Sequence, residues 1–272
     1  MGRAGSENFP VASRLLPQAV RADLMAIYGF ARLADDIGDE AEGDRLEMLD
    51  WLDGELERSA RGDATHPLLQ RLTPTIVRFN LPLEPFRNLI EANRRDQTVH
   101  RYETFDDLIA YCRLSAVPVG RLVLLVFGES TPERVVLSDD VCIGLQIVEH
   151  LQDVAEDAAN GRIYLPQHDL QAFSCHEAEL YGRAAGPRLR ALVRQEAGRA
   201  RRLLGSAAPL ARELSLRSRI AVCGFAAGGL AALDAIERAE YDVLSRRCRP
   251  RPLHLGAHLV GSLLTASSKQ AV

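Results

Sequence analysis

Five aspartates stand at spacings suited to divalent-cation chemistry. Asp35, Asp36 and Asp39 close the stretch YGFARLADDIGD (28–39), and Asp153 and Asp157 close QIVEHLQDVAED (146–157). On a helix, positions i and i+4 lie about 40° apart around the axis, so Asp35 with Asp39, and Asp153 with Asp157, share a face. The first stripe runs back through Arg32 and Tyr28; the second includes Gln146 and Glu149. Hard cations such as Mg²⁺ take oxygen ligands, keep several waters and usually need substrate phosphates to complete their shell. The expectation is two acidic faces, opposite each other, that hold a diphosphate through bridging Mg²⁺.

A single D-x-x-x-D more often marks a solvated helix face. Here Ala31, Leu33, Ala34 and Ile37 flank the first pair, and Ile143, Leu145, Ile147, Val148, Leu151 and Val154 flank the second. Apolar residues nearly all round predict burial of both helices. Buried aspartates then need a partner or a metal.

Composition narrows the class. The 272 residues are 47% apolar with a formal charge of −4, which gives no basic excess for a nucleic acid. The five cysteines (Cys112, Cys142, Cys175, Cys223, Cys248) are scattered without a C-x-x-C pair, against a disulfide framework or a structural zinc site. There is no signal-like start and no run of about 18 apolar residues, so a cytoplasmic location is expected. The apolar tail after the basic segment RRCRPRP (246–252) is compatible with peripheral membrane contact.

The elements that must position the aspartates read as helices throughout. Pro17 suits the first turn of a helix to about Ile37. A second runs from about Asp44 to Ala60 with Leu46, Leu49, Leu52 and Leu56 as its stripe. Others run from Pro67 to about Phe79 and from Glu84 to about Asp96. Thr104 reads as an N-cap, followed by Asp106 and Asp107 where the helix dipole favours acids. Pro118 and Gly120 should kink that helix. Thr131-Pro132-Glu133 opens one helix through Asp157, which Asn160-Gly161 ends. Arg162 follows, with a forked donor set that suits phosphate. Residues 187–205 form an arginine-rich helix with a solvated face, and the small residues around 223–229 allow close packing or a groove. No strand alternation is visible. The expected fold is all-α, about ten helices in one domain over 1–272.

The pattern Y-x-x-x-R-x-x-D-D-x-x-D, then Q-x-x-x-x-x-x-D-x-x-x-D followed by GRIYLP, resembles the squalene/phytoene synthase family from about Ser6 to Tyr241. The resemblance implies an isoprenoid-synthase-type helical bundle with a central cavity. It implies Asp35, Asp36, Asp39, Asp153 and Asp157 as Mg²⁺ ligands. Ser6, Asn8 (a serine in relatives), Gly120, Gln146 and Arg162 are implied as substrate-binding residues. Tyr28 and Tyr111 would steer the ionised substrate, with a buried core role the alternative for Tyr111, and the catalytic Arg32 would pair with Asp35 and Asp36 when the site is empty and with phosphate when it is loaded. The substrate would be presqualene diphosphate or another prenyl diphosphate.

Local features (ENFPVAS, YCRxSAxPVGRL, AEYDVL) resemble the bacterial hydroxysqualene synthase branch of hopanoid biosynthesis, with hand-over to other enzymes of that pathway. That branch ionises presqualene diphosphate and captures the cation with water. Three positions depart from the family pattern: Glu149 for asparagine, Gln152 for arginine, and Gly229 for tyrosine. Glu149 is expected to help position the water. The alternatives are a head-to-head condensing synthase (presqualene diphosphate, squalene or phytoene) and a non-catalytic assembly factor of the same fold. A di-iron bundle is excluded, since no Glu-x-x-His spacing occurs.

Overall fold

The computed structural model describes residues 18–245 and 247–267. Among them the regular structure is helical, and the one β-type pairing is an isolated bridge between Arg101 and Ile163. The chain divides into two compact units. One gathers the described residues up to Val99 with Tyr111–Val135; the other gathers His100–Ala110 and the described residues from Val136 on.

In the first unit, α1 (Gln18–Asp39) packs against α2 (Arg45–Arg61), α3 (Pro67–Phe79) and α4 (Glu84–Arg95). Leu24, Ile27 and Phe30 fill the core, and Phe30 meets Phe86 edge to face at 5.0 Å. The side chain of Asp44 caps α2 by accepting from the Glu47 amide, and Gly62, at φ +83°, closes it in the left-handed region that glycine tolerates. Leu49, Leu52 and Leu56 are buried as expected, but Leu46 is 46% exposed: it sits in the first turn, before the stripe reaches the core. The buried Glu55 accepts from the amides of Thr65 and His66 and fixes the turn into α3.

The expected kinked helix is two helices, α5 (Phe105–Ser115) and α6 (Val117–Val126). The break falls at Ala116, two residues before Pro118, because the proline ring and its missing N–H disturb the preceding turn. Thr104 and Asp107 cap α5 reciprocally: the Asp107 amide donates to Thr104 Oγ1, and Asp107 Oδ2 accepts from the Thr104 amide.

The second unit continues with α7 (Pro132–Gln152) from Val136 on, α8 (Val154–Ala159), α9 (Gln167–Ala172), a 3₁₀ turn (Glu177–Tyr181), α10 (Pro187–Leu204), α11 (Ala207–Glu213), α12 (Leu216–Arg238) and α13 (Pro252–Ser267). Small residues let helices approach closely here. A Cβ on Gly144 would lie 3.1 Å from the Leu204 amide nitrogen of α10. The small-residue helix α12 is buried along most of its length and packs on α10, α11 and α13.

Candidate active site

The first acidic stretch occupies the C-terminal turns of α1, where the helix dipole disfavours carboxylates. Other side chains satisfy the exposed carbonyls there. Arg45 donates to the carbonyls of Gly38, Asp39 and Ala41, each at 3.0 Å, and Gln97 Nε2 donates to that of Gly38 at 3.0 Å. Placing three aspartates against the dipole is a local conflict of the kind that marks functional positions. The expected burial is corrected: Asp35 and Asp39 are exposed and Asp36 is half-buried. The apolar flanks face the core from the other sides of α1, leaving the acidic stripe open. Arg32 pairs with Asp36 at 2.9 Å, and Asn93 Nδ2 donates to Asp35 Oδ1 at 3.2 Å. Tyr28 lies half-buried two turns earlier, and Gly120 lies in α6. The buried Tyr111 hydroxyl donates to Asp96 Oδ2 at 2.6 Å. Ser6 and Asn8 lie outside the described residues.

The second acidic stretch is not one continuous helix. Asp153 takes φ −110° and ψ 12° between α7 and α8. The hydrogen bonds Asp153 N to Glu149 O (3.0 Å) and Asp157 N to Asp153 O (2.8 Å) carry the i, i+4 ladder through the bend. Burial raises the Asp153 carboxyl above its ordinary range, and Arg247, at 2.8 Å, pulls it back in part. Gln152, where the family pattern has arginine, donates to the Cys248 carbonyl at 2.6 Å. It thereby ties down the segment that carries Arg247. Glu149 is exposed. Gln146 Nε2 meets His150 Nε2 at 3.3 Å, and the imidazole stacks on Tyr164 with centroids 3.7 Å apart. Burial pushes His150 down to about 3, so it is neutral near pH 7.

Below the bend lies a small cavity lined by His150, Asp157, Arg162, Tyr164 and Glu196, with apolar walls from α5 and α7. Glu196 overturns the expectation of a solvated arginine-rich face on α10: it is 1% exposed. Its Oε1 accepts from Arg199 at 2.7 Å; Arg199 in turn reaches Asp169 and lies 4.3 Å over the Phe105 ring. Burial pushes the Glu196 carboxyl up to about 7, against the pull of Arg199. The i, i+3 spacing of Glu196 and Arg199 was the available signal, masked by the surrounding arginines.

Of the two expectations for the small residues around 223–229, close packing holds at Gly229, because a Cβ there would lie 2.7 Å from Leu145 Cδ2 and 3.1 Å from Leu204 Cδ1. These leucines fill the space that a tyrosine would need.

Among the described residues no three His, Cys, Asp or Glu side chains form a group able to hold a metal alone. The donor sets suit Mg²⁺ nonetheless, since each stretch offers carboxylate oxygens without histidine or cysteine at the acidic positions, and such ions draw further ligands from water and substrate.

These helices define an all-α protein of the isoprenoid-synthase type. The chain is similar to the squalene synthase HpnC from Alicyclobacillus acidocaldarius, with TM-score 0.82 and 43% identity, covering 88% of this chain and 91% of that one. The squalene/phytoene synthase family model matches residues 3–254, and the chain belongs to that family of enzymes. Among named relatives, a hydroxysqualene synthase from Sinorhizobium fredii is 34% identical over 97% of this chain and 90% of its own length. One from Rhodopseudomonas palustris is 41% identical over 76% and 71%. A phytoene synthase from Arthrospira platensis is 34% identical over 89% and 83%.

Proposed function

We propose that the protein is a hydroxysqualene synthase, converting presqualene diphosphate and water into hydroxysqualene and diphosphate. The observation that carries this is the likeness to two hydroxysqualene synthases, 34% and 41% identical over 97% and 76% of this chain, with all five aspartates present; a phytoene synthase is also 34% identical. Asp35, Asp36 and Asp39, and separately Asp153 and Asp157, hold Mg²⁺. When bound, the ion neutralises the charge that develops on the leaving diphosphate.

The chain's own groups do the rest. Arg32 and Arg162 meet phosphate oxygens, with Arg32 exchanging its pair with Asp36 for the substrate. Gln146 and Gly120 contact substrate, and Ser6 and Asn8 belong to the same proposal. Tyr28 and Tyr111 offer ring faces and hydroxyl dipoles to the carbocation. The exposed Glu149 orients the capturing water and takes its proton.

We place all of this in one domain over 1–272, because both units are assembled from discontinuous stretches and the family model runs through them. We propose a cytoplasmic location with peripheral membrane contact through α13. That helix contains no Asp, Glu, Lys or Arg and exposes Leu253, Val260 and Leu264, which suits handing a lipid product to later hopanoid enzymes.

The deciding experiment incubates purified protein with Mg²⁺ and no reductant, with presqualene diphosphate or farnesyl diphosphate, and identifies products by mass spectrometry. Hydroxysqualene from the first substrate alone supports the proposal. Turnover of farnesyl diphosphate would move the enzyme to the condensing branch, the second reading that the phytoene synthase relative favours. Glu149→Gln with full hydroxysqualene output would remove Glu149 from the mechanism.

A further inference from the structure

Glu196 Oε2 is buried and has no hydrogen-bond partner among the described residues. Its sister oxygen is taken by Arg199. Glu196 shares the wall of the small cavity with Asp157 and Arg162. The part of that cavity open to a water centre measures about 20 Å³, enough for one ordered water.

Both protonation states of Glu196 require a partner. An ionised Oε2 needs a donor, and a protonated one needs an acceptor. Arg162 can only donate and an ionised Asp157 can only accept, whereas water does both. A water between them donates to the Glu196 and Asp157 carboxylates and accepts from the Arg162 guanidinium. Those three partners fall within the usual number for a buried water. The neighbouring imidazole of His150 is held by its stack on Tyr164 and its bond to Gln146. Glu196 is itself fixed through Arg199, which Asp169 and the Phe105 ring hold in place.

We propose that this cavity binds one ordered water that links Glu196 to Asp157 and Arg162, making Glu196 a positioning residue for the second acidic turn. The positioning role rests on the reading of Asp157 as a metal ligand; the water site does not. Partners behind metal-ligating carboxylates commonly shift metal affinity by about 10–100-fold when removed.

A crystal structure of the full chain at about 1.5 Å tests the site directly. Water density within hydrogen-bond distance of Glu196 Oε2 and of Asp157 or Arg162 is expected. A dry cavity, or a water touching Glu196 alone, would overturn the proposal. The role is tested with Glu196→Leu and Glu196→Gln, measuring Mg²⁺-dependent binding of inorganic pyrophosphate by calorimetry beside the melting temperature. The leucine variant should need roughly tenfold more Mg²⁺ for the same binding, with the glutamine variant close to the parent. A lower melting temperature with unchanged Mg²⁺ dependence in Glu196→Leu would reduce Glu196 to a structural residue. If the leucine variant does not fold, an unshifted Mg²⁺ requirement in Asp169→Asn, which loosens Arg199, would likewise reduce Glu196 to a structural residue. Failure of the parent to bind Mg²⁺ and pyrophosphate would instead remove Asp157 from the metal site, and the positioning role with it.

Discussion

Arg247 Nη2 lies 2.8 Å from Asp153 Oδ1, joining two residues 94 positions apart in sequence. The pair places a positive charge at the second acidic stretch although position 152 is glutamine. Arg247 is about half exposed, so its ion pair adds little to global stability, under about 1 kcal/mol. Arg247→Gln is therefore expected to leave the melting temperature nearly unchanged while lowering kcat/KM for the prenyl diphosphate about tenfold or more. Steady-state kinetics beside thermal melting checks this. A parallel fall in both would show that Arg247 holds the fold rather than the site.

Gly38 and Asn93 form a comparable lock at the first stretch. A Cβ on Gly38 would collide with Asn93 Oδ1, the far end of a side chain that can rotate away. Rotation would break the bond from Asn93 Nδ2 to Asp35. Gly38→Ala should thus cost about 1–3 kcal/mol of stability from overpacking. Activity should fall with it, and Asn93→Ala, which removes the colliding amide but keeps its Cβ at 3.1 Å, should recover part of the stability in the Gly38→Ala background without restoring activity. Denaturant titration and kinetics of the two single variants and the double variant separate the effects.

Which parts could be read from sequence follows from these pairs. Local signals were readable: the i, i+4 aspartates, the Thr104–Asp107 cap, and proline and glycine as helix boundaries. The apolar flanks of Asp35 and Asp39 showed a buried helix but not which side stayed open, since α1 buries its other faces. The bend at Asp153 has no proline or glycine to announce it, and it costs none of the i, i+4 hydrogen bonds described above. Arg247 read as part of a basic exit, and Glu196 as a break in a charged face. Arg247 owes its role to a contact 94 positions away that no local spacing encodes, and the i, i+3 pair of Glu196 with Arg199 does not by itself announce the burial of Glu196.

His150 and Glu196 tilt the pH dependence of stability in opposite directions. Burial holds His150 neutral down to about 3, while an unfolded imidazole gains its proton near 6.5. The unfolded chain then binds more protons between about pH 6.5 and 3, so stability falls as pH drops through that window. Glu196 keeps its proton up to about 7, against roughly 4.3 when unfolded. Its contribution is fully present below about pH 4.3 and is lost as pH rises through 7. Glu196→Gln removes that loss, so its stability relative to the parent should be about 1–3 kcal/mol more favourable at pH 8 than at pH 5. Melting curves at both pH values check this. An equal gap at the two would mean that Glu196 titrates as an ordinary carboxylate.

Asp234 anchors the last helix. Its Oδ2 meets His258 Nε2 at 2.6 Å and His254 Nδ1 at 3.4 Å, and its Oδ1 meets Arg201 at 3.1 Å. Burial acts to raise its carboxyl, but the hydrogen bonds from His258, Arg201 and His254 outweigh it and hold the value below the ordinary range. This contribution is present above the unfolded value of about 3.9 and is lost as pH falls through the lower folded value. Leu259 and Leu263 still pack on Ala211 and Cys223 without it. Asp234→Asn should loosen α13 by about 1–2 kcal/mol and leave the rest of the fold intact. Hydrogen exchange would then speed up within 252–267 and stay unchanged in α7 and α10 at neutral pH. As pH falls through the lowered folded value, the difference between parent and variant should shrink, because the parent's Asp234 takes up the proton that weakens the same bonds. Uniform acceleration along the chain would instead show that Asp234 supports the whole second unit.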